Sequence, residues 1–334
     1  MNANIELEVS QARQLAMAAM CGRGFGESEA RITVEALLAA ERDGLPSHGL
    51  SRLPFYLDQA ANGKVNAGAV PRVEADGAVI RVDAAHGLAF PAIARGLEAG
   101  YECLSRFGIA AVSIARSHHF GVAGAPVEAA SRRGYMALAF SNAPSAMAPW
   151  GGTKPLFGTN PIAFACPRRD GEPLLIDLSL SKVARGKVML AKKKGEPIPE
   201  GWALSEQGRP TTDPDQALSG SMVPAGDAKG AALALMVELL TAGLAGSHFG
   251  FQASSFFDAE GGAPNIGQLI LLFDPSRFSA DFVDHAEQLF AAMQDQPGVR
   301  LPGDRRYALR RERRGHMSLP ASLVAELEAH AASN

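Results

Sequence analysis

The stretch PIAFACPRRDGEPLLIDLS, residues 161–179, decides how the sheet of this protein is built. Two apolar, β-rich runs, PIAFACP and PLLIDLS, flank the segment RRDGE. Asp170-Gly171 at its centre is a hairpin signal, because both residues tolerate the positive φ of a tight turn. A hairpin joins antiparallel strands. Upstream, AVIRVDA (78–84), GIAAVSIA (108–115) and YMALAFSN (135–142) read as three further strands. Helical spacers at about 90–106 and about 122–133 separate them, the pattern of crossover connections. Crossovers beside a hairpin predict a mixed sheet in an α/β (α+β) fold.

Around this sheet the chain reads as helical. A helix is expected from about Glu8 to Met20, and a second from Ser28 as N-cap, carrying Ile32, Val34, Leu37 and Leu38 and stopped by Asp43-Gly44. Another begins after Ser51. KVARGKVMLAKKKG (182–195) reads as a helix, with a long Pro/Gly-rich loop after it to about Asp227. AKGAALALMVELLTAGLAG (228–246) is expected to be a buried apolar helix, GQLILLFDP (267–275) a late strand and ADFVDHAEQLFAAMQ (280–294) an amphipathic helix. The last helix, PASLVAELEAHAA (320–332), reads as peripheral.

Bulk properties exclude several classes. The 334 residues carry 32 basic and 35 acidic side chains, a net charge of −3, so no nucleic-acid or membrane partner is expected. The one dense basic stretch is RRYALRRERR (305–314). Cys21, Cys103 and Cys166 lie far apart, without a CxxC, so neither a disulfide framework nor a metal site is predicted. With no apolar leader and no run approaching the length of a membrane span, the expected location is cytoplasmic. No GxGxxG follows the first strand, and Walker A, HExxH, GxSxG and EF-hand patterns are missing.

Four segments concentrate side chains suited to chemistry. In DGLPSHGLSR (43–52), His48 is suited to proton exchange near neutral pH, Ser47 to orienting it, and Arg52 to gripping a carboxylate. A helix-connecting loop with a capping serine fits the same residues. ARSHHFGVAG (115–124) comes after a strand, and Gly121 and Gly124 let backbone approach a phosphate at the next helix start; a plain strand-to-helix turn with one core histidine is the other reading. SNAPSAMAPWGGTKPLFGTNPIAFACP (141–167) is either a functional loop offering Lys154, Thr159 and Asn160 or an Ω-loop capping the core. In PAGDAKGAALALMVELL (224–240), Lys229 opposes the helix dipole, which suits a nearby anion as well as a solvent-facing lysine.

Seven blocks, DGLPSHGLSRLPFYL, SHHFGVAG, KPLFGTNPIAFA, GKVMLAKKKGEPIPEGWAL, GRPTTDP, AKGAALALMVELL and LPGDRRY, span roughly residues 10 to 310 in this order. Together they resemble the type-2 malate/L-lactate dehydrogenase family. That family includes malate, lactate, sulfolactate and ureidoglycolate dehydrogenases, and reductases of Δ1-piperideine-2-carboxylate and Δ1-pyrroline-2-carboxylate. The resemblance implies a largely antiparallel, non-Rossmann cofactor sheet beside a helix-rich substrate and dimerisation domain. It divides the chain into 1–75, a helical part, 76–225, the NAD(P)-binding part, and 226–334, a return to the catalytic part. It also implies a homodimer using NADPH or NADH, with Arg305 and Arg306 leaning it towards NADPH through a 2′-phosphate.

By the same resemblance, His48 is the proton donor with Ser47 in support, Arg52 anchors the substrate carboxylate, and Thr159 is another substrate contact. His119, Phe120, Gly121, Val122 and Ala123 line the cofactor, as do Asp177, Leu178, Ser179, Lys229, Gly303, Arg305 and Arg306. Two positions depart from the pattern. Lys187 stands where the imine-reductase branch has an Asp in its catalytic relay; near the reacting centre it would favour dianionic substrates, and otherwise it is a surface lysine beside Lys192, Lys193 and Lys194. Ala228 stands where a His often precedes the Lys of the KG pair. The expected reaction is hydride transfer to C2 of a small 2-oxo carboxylate, with reduction of a cyclic imino acid as the alternative. A catalytically silent binding protein is a third reading, opposed by the intact Ser47, His48 and Arg52.

Overall fold

The computed structural model describes residues 4–313 and 315–332. Its elements in chain order begin with β1 (Asn4–Glu8), α1 (Val9–Gly22), α2 (Glu27–Arg42) and α3 (Leu53–Ala61). Next come β2 (Arg72–Asp76), β3 (Val79–Asp83), α4 (Ala89–Phe107), β4 (Ile109–Ser117), α5 (Gly124–Ser131), β5 (Met136–Ser141), β6 (Ile162–Cys166) and β7 (Leu174–Leu178). After α6 (Arg185–Lys194), a small three-stranded ribbon of β8 (Ala203–Leu204), β9 (Pro210–Thr211) and β10 (Ser221–Met222) packs with α7 (Pro214–Ser219). The chain ends with α8 (Ala228–Glu238), β11 (Ile266–Phe273), α9 (Phe282–Gln294), α10 (Asp304–Glu312), β12 (His316–Pro320) and α11 (Ala321–Ala332).

The main sheet has seven strands in the order β2-β3-β4-β11-β5-β6-β7. Only β3 and β4 run parallel, joined by the long crossover α4; the other pairings are antiparallel. The β6–β7 hairpin forms, with Gly171 at φ 91° in its turn and Ile162 facing Leu178. β11 lies between β4 and β5, so the segment 226–334 does not return wholly to the helical part. Its alternation is suppressed, with Ile266, Leu269, Ile270 and Leu272 all buried, because a central strand is covered on both faces.

A second core joins α1, α2 and α3 to the far end of the chain. Met20, Leu37, Leu38 and Leu57 pack with Met317, Leu323, Val324 and Leu327. The final helix is therefore not peripheral: its apolar stripe closes the N-terminal bundle, and β12 pairs antiparallel with β1. That ribbon and β2 carry mostly exposed side chains and escape a pattern reading for that reason. Two further expectations change. Gly26, in extended conformation, takes the N-cap position of α2 in place of Ser28. The apolar segment 228–246 is helical, passing into a π-turn at Leu239–Gly243, yet it is buried on one side only: Leu233, Leu235, Met236, Leu239 and Leu244 are exposed. Arg314, the end of the basic stretch, lies outside the described residues. No helix among the described residues is long and apolar enough to cross a membrane.

Candidate active site

DGLPSHGLSR ends α2 and becomes two short 3₁₀ turns, Pro46–His48 and Leu50–Arg52. Pro46 cannot continue the helix, and buried Glu41 fixes the second turn by accepting the backbone N–H of Leu50 at 2.8 Å. Asp43, at the end of α2, receives Nε of Arg310 at 2.6 Å, while Nη1 of Arg310 donates to Glu128 at 2.6 Å. Burial pushes the Glu128 carboxyl up, but Arg310 and Arg132 more than reverse this and hold it below its ordinary range. This ion network ties α10, α5 and the 3₁₀ turns into one frame.

The turns open on a cavity of about 470 Å³. Ser47 Oγ lies 3.0 Å from Nδ1 of His48, which leaves Nε2 for another partner. Burial, reinforced by the charge of Arg52, depresses the His48 pKa to about 4. Arg52 is held by its Nε, which donates to the Ser47 carbonyl at 2.7 Å, and by the Phe257 ring, 4.5 Å from its guanidinium carbon. Its buried Nη1 has no partner among the described residues. A buried guanidinium donor left unpaired is costly, and a substrate carboxylate would satisfy it.

The strand-to-helix turn after β4 forms the opposite wall, from His119 through Phe120, Gly121 and Val122 to Ala123. Gly121 has φ 73°, and a Cβ there would come within 2.5 Å of Phe90. Gly124 opens the next helix, where a Cβ would sit 2.6 Å from Arg306 Nη1 and 2.8 Å from Asp177 Oδ2. Arg306 Nη2 donates to Asp177 at 2.8 Å, and Arg306 Nη1 is buried without a partner among the described residues. This cradle of bare backbone, helix start and spare guanidinium N–H fits a phosphate-bearing dinucleotide. His119 Nδ1 is 2.7 Å from the Tyr56 hydroxyl, and its ring centroid is 5.5 Å from that of His48. His118 is the core histidine, fully buried, and neither of its ring nitrogens is bonded to any of the described residues.

The structure thus brings Ser47, His48, Arg52, the 119–123 turn, Thr159, Asp177, Leu178, Ser179 and Arg306 to one cavity. Lys187, Lys229, Gly303 and Arg305 do not line it, and Lys187, Lys229 and Arg305 are exposed. Of the other loop candidates, Lys154 is exposed and Asn160 is buried, where its amide donates to Glu238 at 3.0 Å. Lys187 points away because α6 starts at Arg185, and it is Arg185 that faces the cavity. The dipole argument applied to Lys229 flags both Arg185 and Lys187, cations in the first turn of α6, and does not choose between them. Phe256 and Phe257 also line the cavity; they sit in a loop without periodic pattern and carry no sequence signal.

A family model described as malate/L-lactate dehydrogenase matches residues 7–328. The chain is 67% identical over 327 residues, 98% of each sequence, to a (2R)-3-sulfolactate dehydrogenase (NADP(+)) of Chromohalobacter salexigens. Among solved structures it resembles a delta1-piperideine-2-carboxylate reductase from Pseudomonas syringae pvar. tomato at TM-score 0.91 and 35% identity, covering 98% of this chain and 99% of that one. It also resembles the sulfolactate dehydrogenase from Methanocaldococcus jannaschii, at TM-score 0.90 and 27% identity, with 98% and 96% covered. The chain belongs to the malate/L-lactate dehydrogenase family and is an NAD(P)-dependent oxidoreductase.

Proposed function

We infer that this enzyme interconverts 3-sulfolactate and 3-sulfopyruvate with NADP(H). The observation that carries the reading is the convergence of a Ser47-held His48 and the unpaired Nη1 of Arg52 on one cavity. The 67% identity to a protein named for that substrate and that cofactor supports the choice within the family.

Arg52 binds the C1 carboxylate and brings C2 beneath His48. The nicotinamide cofactor, when bound, would supply the hydride acceptor for the oxidative direction. The hydroxyl proton passes to Nε2 of His48. A histidine whose pKa is about 4 is neutral at pH 7 and ready as a base. In the reverse direction protonated His48 returns that proton to the developing alkoxide, a form that is scarce in the free enzyme and that the anionic substrate bound beside it would favour. Thr159, Phe256 and Phe257 line the same cavity, Thr159 as a further polar contact for the substrate and the two rings as an apolar wall. The 119–123 turn, Asp177, Leu178, Ser179 and Arg306 would hold the cofactor, and the spare Nη1 of Arg306 suits a phosphate, in keeping with NADPH.

A homodimer is supported by the exposed leucines of the segment 228–246, Leu244 among them at 66% exposure, since such a stripe is costly to leave in water. The cytoplasm is the compartment we propose, in keeping with three free cysteines.

The test is NADPH oxidation by the wild type on sulfopyruvate, oxaloacetate, pyruvate and the two cyclic imino acids. Sulfopyruvate is expected to give the highest kcat/KM; preference for a cyclic imine would replace this reading with imine reduction. Arg52→Lys is expected to raise KM for sulfopyruvate by about 10- to 100-fold, because an ammonium cannot reproduce a bidentate guanidinium contact. An unchanged KM would remove Arg52 as the anchor.

A further inference from the structure

Three guanidinium groups line the cavity, those of Arg52, Arg185 and Arg306, against one carboxylate, that of Asp177. Asp177 is committed to Arg306 at 2.8 Å. Arg52 and Arg185 have no carboxylate partner among the described residues. Arg185 is fixed by its two terminal nitrogens, Nη1 donating to the Ser145 carbonyl at 3.2 Å and Nη2 to the Leu218 carbonyl at 3.1 Å. Both partners are neutral, so the charge itself is uncompensated. Burial lowers the pKa of Arg185, the direction expected for a cation taken from water with nothing opposite it.

The position of Arg185 relates it to the chemistry. Its neighbour Gly186 faces Ser47, whose Cβ would lie 3.7 Å from a Cβ built at Gly186. The first turn of α6 therefore borders the loop that holds His48, and it has no side-chain cap. Two uncompensated guanidiniums on one cavity call for a ligand with two anionic groups.

We propose that Arg185 is the specificity residue for a second anionic group on the substrate, a sulfonate or carboxylate on C3, while Arg52 holds the C1 carboxylate. This assignment rests on the sulfolactate–sulfopyruvate reading of the substrate. It transfers to Arg185 the role that charge alone suggested for Lys187, which is exposed and does not line the cavity. It also explains how one family scaffold can separate dianionic from monoanionic 2-oxo acids, because pyruvate leaves the Arg185 charge unmatched and gains nothing from it.

The experiment compares kcat/KM of wild type, Arg185→Gln and Arg185→Lys on sulfopyruvate, oxaloacetate and pyruvate, with KM for NADPH measured throughout. Arg185→Gln is expected to lose about 100-fold on both dianions and less than about 3-fold on pyruvate, with KM for NADPH unchanged. Arg185→Lys is expected to recover part of the loss. Equal losses on all three acids would show a purely structural role, and a raised KM for NADPH would assign Arg185 to a cofactor phosphate; either overturns the proposal. If Arg185→Gln does not fold, inhibition by 3-sulfopropionate against propionate decides, in wild type and Arg185→Lys. The wild type should bind the dianion more tightly and Arg185→Lys should narrow the gap; an unchanged gap overturns the proposal. A wild type that prefers pyruvate or an imine sinks the substrate reading itself, an outcome distinct from a wild type that prefers sulfopyruvate and a variant that loses every substrate alike.

Discussion

The hydroxyl of Tyr56 and Nδ1 of His119 lie 2.7 Å apart inside the protein, and this bond sets the ring that stands 5.5 Å from His48. Burial lowers the His119 pKa well below its ordinary value, so the ring is neutral and shares one proton with the phenol. Tyr56→Phe keeps the packing and strands a buried ring nitrogen. The expected cost is about 1–3 kcal/mol of stability, read as a lower urea midpoint at unchanged m-value. A midpoint equal to wild type would mean that the bond contributes nothing net.

The depressed pKa of His48 has a direct kinetic consequence. In the oxidative direction the base form is required, and in the free enzyme that form persists down to about pH 4. The kcat/KM for the hydroxy acid is therefore expected to show no His48 titration between pH 5.5 and 7.5, roughly, and to fall as pH drops towards 4. His48→Asn should lower kcat by about 10²–10⁴-fold with little change in cofactor affinity. A variant with wild-type kcat would move the proton relay to another residue.

Lys64 is buried, and its ammonium donates to the Asp258 carbonyl at 3.1 Å, the Asp258 carboxylate at 3.1 Å and the Glu260 carbonyl at 2.7 Å. Gln59 adds a bond to the Asp258 carbonyl at 2.8 Å. These contacts clamp the loop that carries Phe256 and Phe257 into the cavity. Lys64→Met fills similar volume without donors. It is expected to raise substrate KM several-fold and to speed amide exchange across 250–262 while the main sheet stays protected. Unchanged exchange in that loop would show that other contacts hold it.

His118 makes the protein sensitive to acid. Burial first, and then the charges of Lys64 and Arg52, lower its pKa to about 3 from an ordinary 6.5. Between those values the unfolded chain takes up the proton and the folded one does not. Stability therefore rises with pH across this window and is lost as pH falls below about 6.5; above it, His118 contributes no pH dependence. The slope from one such group approaches about 1.4 kcal/mol per pH unit. Urea midpoints at pH 5 and 7 should differ less in His118→Gln than in wild type. Equal differences would rule His118 out as the source.

Local pattern was sufficient for the strands of the main sheet that are buried on at least one face and for the hairpin at Asp170-Gly171, because period and turn chemistry are properties of neighbouring residues. Ser47, His48 and Arg52 were legible together, since ten residues of one loop carry all three and a 3₁₀ turn cannot scatter them far. The cofactor turn at 119–123 was legible for the same reason. What only the tertiary structure decided is what depends on where distant segments meet. The final helix closes the N-terminal core, although nothing in its own pattern names α1 as its partner. Asp43 and Glu128 are joined by Arg310, far along the chain from both. Arg185 faces the cavity and Lys187 does not, because two residues along an α-helix turn a side chain by about 200° and the start of α6 fixes which one points in. Sequence determines which side chains can do chemistry, whereas packing of remote elements determines which of them share a space and which charges are left uncompensated there.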